Sequence, residues 1–182
     1  MKPLEPEDIA NQYRKLVSTQ TYEPKPKIEG FEIIDLPHFV DDGGMFIEIA
    51  RLTGGEHDWF HGTEAAQISF SEMQPDVTKA FHLHYNQDEI WFIPPTSRML
   101  IGLVDIRETS STKDTEMRFV MGGGKAKAFR IPRGVAHGVR NIGDQPGFIV
   151  YMVSQQFKRE TPDEHRLPWD FRGSDFWDVT KG

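Results

Sequence analysis

An all-β fold of two stacked or closed sheets is what this 182-residue sequence predicts, and three observations predict it. From Phe31 onward the chain runs in short segments rich in Ile, Val and Phe. Gly, Asp, Asn and Pro separate those segments at close intervals. None of them carries the sustained period of 3.6 that a long helix needs. Strands are expected near 31–36, 45–51, 65–72, 78–85, 89–93, 99–106, 116–120, 126–131, 138–141 and 148–154. So many short strands point to a sandwich or barrel.

Taken in order, residues 6–18 place Ile9, Tyr13, Leu16 and Val17 three or four apart, with acids early and Arg14-Lys15 late, which predicts a short amphipathic helix. Pro24 and Pro26 follow in a stretch of little apolar content, an extended connector. The expected division is therefore 1–30 helix and connector, 31–155 barrel, and 156–182 tail. Within the barrel, Asp41-Asp42-Gly43-Gly44 and Gly122-Gly123-Gly124 supply turns, and Pro94-Pro95 marks a corner between sheets. The tail holds Phe157, Trp169, Phe171, Phe176 and Trp177, rings that must be covered by the barrel or by a partner subunit. With exposed edge strands this predicts a homodimer.

Composition removes several function classes. Cysteine is absent, so a disulfide framework, a thiolate metal site and a thiol nucleophile are excluded. A formal net charge of -7 argues against binding to a nucleic-acid backbone. No stretch approaches the roughly 18 apolar residues of a membrane span, and Met1-Lys2-Pro3-Leu4-Glu5 is not apolar, so a cytoplasmic protein without membrane partners is expected.

The chemistry gathers at Phe81-His82-Leu83-His84-Tyr85-Asn86-Gln87-Asp88-Glu89. In an extended chain the period of two sends His82 and His84 to one face, and the polar turn returns Glu89 beside them. Pro132-Arg133-Gly134-Val135-Ala136-His137 supplies a third imidazole after a turn. The two stretches together resemble the paired motifs of the cupin superfamily, double-sheet jelly-roll barrels whose mouth often holds a metal. One reading of His82, His84, Glu89 and His137 is thus a shell for a divalent transition metal, with ligand type unable to choose among Fe, Mn, Ni, Cu and Zn.

More of the chain, from about Gly30 to about Phe171, resembles the dTDP-4-dehydrorhamnose 3,5-epimerase family. The likeness is carried by Gly43-Gly44-Met45-Phe46, Leu83-His84-Tyr85, Val104-Asp105-Ile106-Arg107, Ile131-Pro132-Arg133-Gly134-Val135-Ala136-His137-Gly138, Tyr151, Pro162-Asp163-Glu164 and Trp169-Asp170. The resemblance implies a metal-free isomerase acting on a 4-keto nucleotide sugar. His84 would take a proton from the carbon beside the ketone, Tyr151 would return one to the other face, and His137 would help steady the enolate. The family's lysine after this histidine has no lysine counterpart among Glu89-Ile90-Trp91. Its diphosphate-binding arginines stand here as Phe81 and Gly43, so Arg98, Arg130 and Arg140 are the substitutes expected, with Asp175 or Asp178 as carboxylate partner of the base. A metal-dependent cupin, dioxygenase or isomerase, and a noncatalytic sugar-binding cupin are the alternatives.

Overall fold

The computed structural model describes residues 2–180. In chain order its strands are β1 (Glu32–Asp35), β2 (His38–Asp41), β3 (Gly44–Ile47), β4 (Leu52–Thr53), β5 (Glu56–His57), β6 (Gln67–Met73), β7 (Thr78–Leu83), β8 (Glu89–Ile93), β9 (Arg98–Asp105), β10 (Glu116–Gly122), β11 (Lys127–Ile131), β12 (Val135–Asn141), β13 (Gly147–Val153) and β14 (His165–Arg166). Two antiparallel five-stranded sheets result, ordered β1-β11-β8-β13-β6 and β10-β9-β12-β7-β14. This is the all-β, cupin-like jelly roll expected. Pro94-Pro95 lies between β8 of the first sheet and β9 of the second, the corner predicted.

Alternation explains how the sheets meet. Trp91 and Ile93 of β8, Met99, Ile101 and Leu103 of β9, Phe129 and Ile131 of β11, and Val135 and Val139 of β12 all point between the sheets and are buried together. The intervening residues face outward, yet many are buried too. Ile90, Phe92, Ala128 and Met152 are covered by Leu36 and Phe60, from the segment around the small hairpins. Leu100, Val104, Phe81 and Ala136 are covered by Phe176 and Trp177 of the tail. The central strands therefore read as nearly continuous apolar runs because both of their faces are packed.

Trp177 is 2% exposed, so the tail finds its cover on the barrel's own second sheet. Gly102 permits that contact: a Cβ there would lie 2.5 Å from the Phe176 ring and 2.6 Å from the Trp177 ring. The N-terminal helix is shorter than predicted, reduced to turns at Pro6–Asp8 and Asn11–Arg14 with no buried residue. Its apolar positions have nothing to pack against, and so short a helix is not stable by propensity alone.

Candidate active site

On the side where β6 of the first sheet faces β7 and β14 of the second, the sandwich holds a cavity of about 380 Å³. Alternation fills it. Glu89 precedes Trp91 by two residues and shares its inward direction at the start of β8, His137 stands between the inward Val135 and Val139, and Tyr151 follows the inward Ile149 on β13. His84 lies one residue past β7. The first sheet thus contributes Glu89 and Tyr151, and the second contributes His82, His84 and His137.

At the floor, Glu89 joins the two imidazoles. His84 Nε2 lies 3.1 Å from one carboxylate oxygen and His137 Nε2 3.3 Å from the other. The Trp91 indole N–H donates to Glu89 at 2.7 Å and the Gln87 amide at 3.2 Å. Each ring is also fixed at its far nitrogen, His84 Nδ1 against the Asp163 carbonyl and His137 Nδ1 against the Val135 carbonyl at 3.0 Å. Asp163 in turn accepts the Tyr85 and Asn86 backbone N–H groups at 2.9 and 2.7 Å, which ties the tail to the loop after His84.

The charges follow from these contacts. Burial pulls His84 toward the neutral form, but the hydrogen bond and charge of Glu89, the Asp163 carbonyl and the nearby Glu164 outweigh it and push the imidazole up to about 9. Burial works against ionised Glu89 as well, and its bonds to His137 and His84 win, holding it far below the ordinary carboxylate range. Burial, then the Glu89 charge, raise the Tyr151 phenol, so it stays a proton donor at neutral pH. The cavity thus brings an imidazole and a phenol from opposite sheets around one buried carboxylate.

His84, Glu89, His137 and Tyr151 line one cavity. His82 lines the same cavity but stands apart from the Glu89 cluster: its ring centroid is 6.1 Å from that of His137, and its Nδ1 faces Glu164 at 3.8 Å. Three residues, His84, Glu89 and His137, bring ligand atoms within 4.8 Å of one another, so the four-ligand shell becomes a group of three.

The three expected arginines do not line the cavity. Arg130 bonds Glu32 at 2.7 Å and Thr63 at 3.1 Å, and Arg140 bonds the Trp177 carbonyl at 2.7 Å. Arg98 is exposed at the start of β9. Parity is the reason: Arg98 shares the direction of Leu100, Arg130 that of Ala128, and Arg140 stands an odd number of residues from His137. Asp175 and Asp178 do not reach His84 either. Asp178 faces Arg140 at 3.7 Å, and the carboxylate partner of His84 is Glu89. Sequence reasoning missed Trp91, which the alternation from Glu89 would have found, and Lys79, Glu164 and Arg166, which complete the cavity wall.

The chain matches the family model described as dTDP-4-dehydrorhamnose 3,5-epimerase over residues 25–172. It is 38% identical over 143 residues to the spore coat polysaccharide biosynthesis protein SpsL of Bacillus subtilis, covering 79% of this chain and 91% of that one. A probable low-salt glycan biosynthesis epimerase of Haloferax volcanii is 32% identical over 146 residues, covering 80% and 90%. Among solved structures, a dTDP sugar isomerase from Desulfovibrio desulfuricans superposes with a TM-score of 0.69 at 23% identity, covering 84% of this chain and 91% of that chain, a likeness of fold.

Proposed function

We propose, from the premise that this chain belongs to the dTDP-4-dehydrorhamnose 3,5-epimerase family and is a nucleotide-sugar epimerase, that it inverts a carbon beside the ketone of a 4-keto nucleotide sugar by proton transfer between His84 and Tyr151. The observation that carries this reading is the placement of the two groups on opposite sheets across one cavity. Inversion requires a proton to leave one face of the sugar and another to arrive on the other.

In this reading the C–H proton passes to the His84 imidazole in its neutral form and its electron pair moves into the carbonyl, giving an enolate. His137, beside His84 on the second sheet, is the group offered to the developing oxyanion. The Tyr151 O–H then protonates the carbon from the opposite sheet, the ketone re-forms, and water carries the proton of His84 back to the phenolate. The His84 imidazolium must first release a proton, so turnover rises with pH toward about 9. Incubation in heavy water with a dTDP-linked 4-keto-6-deoxy sugar tests this: deuterium enters beside the ketone with wild-type protein, and His84→Gln slows its entry by about 10² or more. Entry at an undiminished rate in that variant would contradict the assignment.

The proposed chemistry runs without a metal. A divalent transition metal is a second reading, supported by the gathering of His84, Glu89 and His137 and by the anchoring of both Nδ1 atoms on carbonyls, as in metal-binding histidines. Those three residues would hold the ion, and it would supply a Lewis acid for the keto oxygen. Elemental analysis of tag-free protein separates the readings: near-stoichiometric metal that disappears in Glu89→Gln supports the second. A homodimer in the cytoplasm completes the proposal. Edge strand β6 presents Ile68 and Phe70, and the β2–β3 hairpin presents Phe39 and Phe46, all more than half exposed. Sedimentation at micromolar concentration reads the dimer directly.

A further inference from the structure

One wall of the cavity carries two cations that no motif announced. Lys79 and Arg166 both line it and both are exposed, which puts them at its rim, whereas His84, Glu89 and His137 are at most 5% exposed at its floor. Neither rim cation has a side-chain partner among the described residues, in contrast to Arg130 and Arg140, which are tied to Glu32 and to the tail. Glu164, the acid on the same wall, is turned to the imidazoles, 3.8 Å from His82 and 4.0 Å from His84. In a chain of net charge -7, two unpaired cations at one cavity mouth are a local departure from the composition.

The backbone is built to aim them there. Arg166 pairs with His82 across β14 and β7, and follows Glu164 on the same side of its strand. Lys79 stands three residues before His82, so simple alternation would turn it away. The ladder between β12 and β7 instead pairs His137 with His82 and Val139 with Lys79, so that three residues of β7 span what two span on β12. This extra residue is a bulge, and it flips Lys79 to the inner face. Gly138 faces the bulge: a Cβ there would lie 2.4 Å from the Cβ of Ala80. A glycine opposite the bulge is therefore part of what places Lys79 at the mouth.

We propose that Lys79 and Arg166 bind the diphosphate of the nucleotide sugar, an assignment that rests on the epimerase reading for the identity of the ligand. The depth of the groups matches the order of the substrate's parts. The reacting sugar belongs at the dry floor beside His84. Its diphosphate, attached one ring away, stays partly hydrated and meets the rim, where Arg166 offers a planar fork and Lys79 a mobile ammonium.

Titration calorimetry of the full chain with dTDP tests the assignment. Lys79→Met and Arg166→Met each weaken dTDP binding about tenfold, on the order expected for one charge-assisted contact, and the double variant weakens it more. Lys125→Met leaves binding unchanged, because Lys125 lines a separate groove of about 880 Å³ between β1 and β10. Lys79→Arg restores much of the loss. In the exchange assay the rim variants raise KM and keep kcat, as the loss of uniform binding requires. Equal dTDP affinity in wild type and double variant would overturn the proposal, as would a loss that follows Lys125. If dTDP binding depends on the rim but no exchange occurs, the epimerase reading fails and the anion site stands. If exchange occurs and ignores both rim variants, the anion site fails alone.

Discussion

Among the described residues two carboxylates are buried at strand ends, and their partners differ in kind. Asp105, 0% exposed at the end of β9, accepts from the backbone N–H, Nε and Nη2 of Arg107 and from the hydroxyls of Ser110 and Thr112 at 2.6 and 2.7 Å. Arg107 also reaches the Glu29 carbonyl at 2.8 Å, so the cluster fastens the connector and the 105–114 loop to the barrel. Glu89, 5% exposed at the start of β8, is bonded as fully, but two of its partners are imidazoles and its surroundings open on a cavity. The difference is in what the partners can give up. A guanidinium keeps its proton throughout the working range, whereas an imidazole releases one. A buried carboxylate marks a site for proton chemistry only where its partners can themselves change charge.

This contrast predicts unequal costs. Asp105→Ala strands the Arg107 cation and should lower unfolding stability by about 3–5 kcal/mol, read as a shifted urea midpoint, with exchange per folded molecule unchanged. Glu89→Gln should cost markedly less, because the His84 imidazole can shed its charge when the carboxylate is gone. An equal loss in the two variants would break the distinction.

The pH dependence sharpens it, since both clusters weaken in acid but only the Glu89 cluster also titrates on the alkaline side. Asp105 is lowered from its ordinary 3.8: burial opposes this, and the bonds from Arg107, Ser110 and Thr112 prevail. Its contribution to stability is therefore complete above that value and lost as the solution becomes strongly acid. His84 is raised from 6.5 to about 9, so its pairing with Glu89 contributes fully below 6.5 and is lost as pH rises through about 9. Urea midpoints followed across pH should show an acid limb that Asp105→Asn and Glu89→Gln each reduce, and an alkaline limb that Glu89→Gln removes and Asp105→Asn leaves in place.

Activity gives the smallest of these effects at neutral pH. Glu89→Gln makes His84 a weaker base but leaves more of it unprotonated, so the two consequences largely offset one another near pH 7. The change appears in the profile: the rising limb of kcat/KM, near 9 in the wild type, moves down toward the ordinary imidazole range. An unmoved limb would mean that another group sets it.

What could be read in the sequence was mostly what alternation governs. Strand β8 stands where it was expected, and the meeting of His84 with His137 followed from two motifs far apart in the sequence. Alternation would also have turned Arg98, Arg130 and Arg140 away from the cavity, had it been counted from the inward residues of their strands. Lys79 was out of reach of such counting, because the bulge before His82 reverses its face and appears only once β7 is paired with β12. Arg166 was hidden in a tail whose aromatic content speaks of packing; Phe176 and Trp177 do pack, but the part before them adds a strand to the site. The role of Glu89 as partner to both imidazoles depends on distances across the sheets, which no local pattern encodes.

If protons leave and return on opposite faces of the sugar, from different sheets, the two transfers can be separated by one substitution. Tyr151→Phe keeps the ring and removes the hydroxyl, so heavy-water incubation of this variant with a 4-keto nucleotide sugar, followed by NMR of both deuterium content and configuration, isolates the return step. Deuterium is expected beside the ketone with the original configuration retained, and inversion slowed by about 10² or more. Inversion at the wild-type rate in this variant would contradict it.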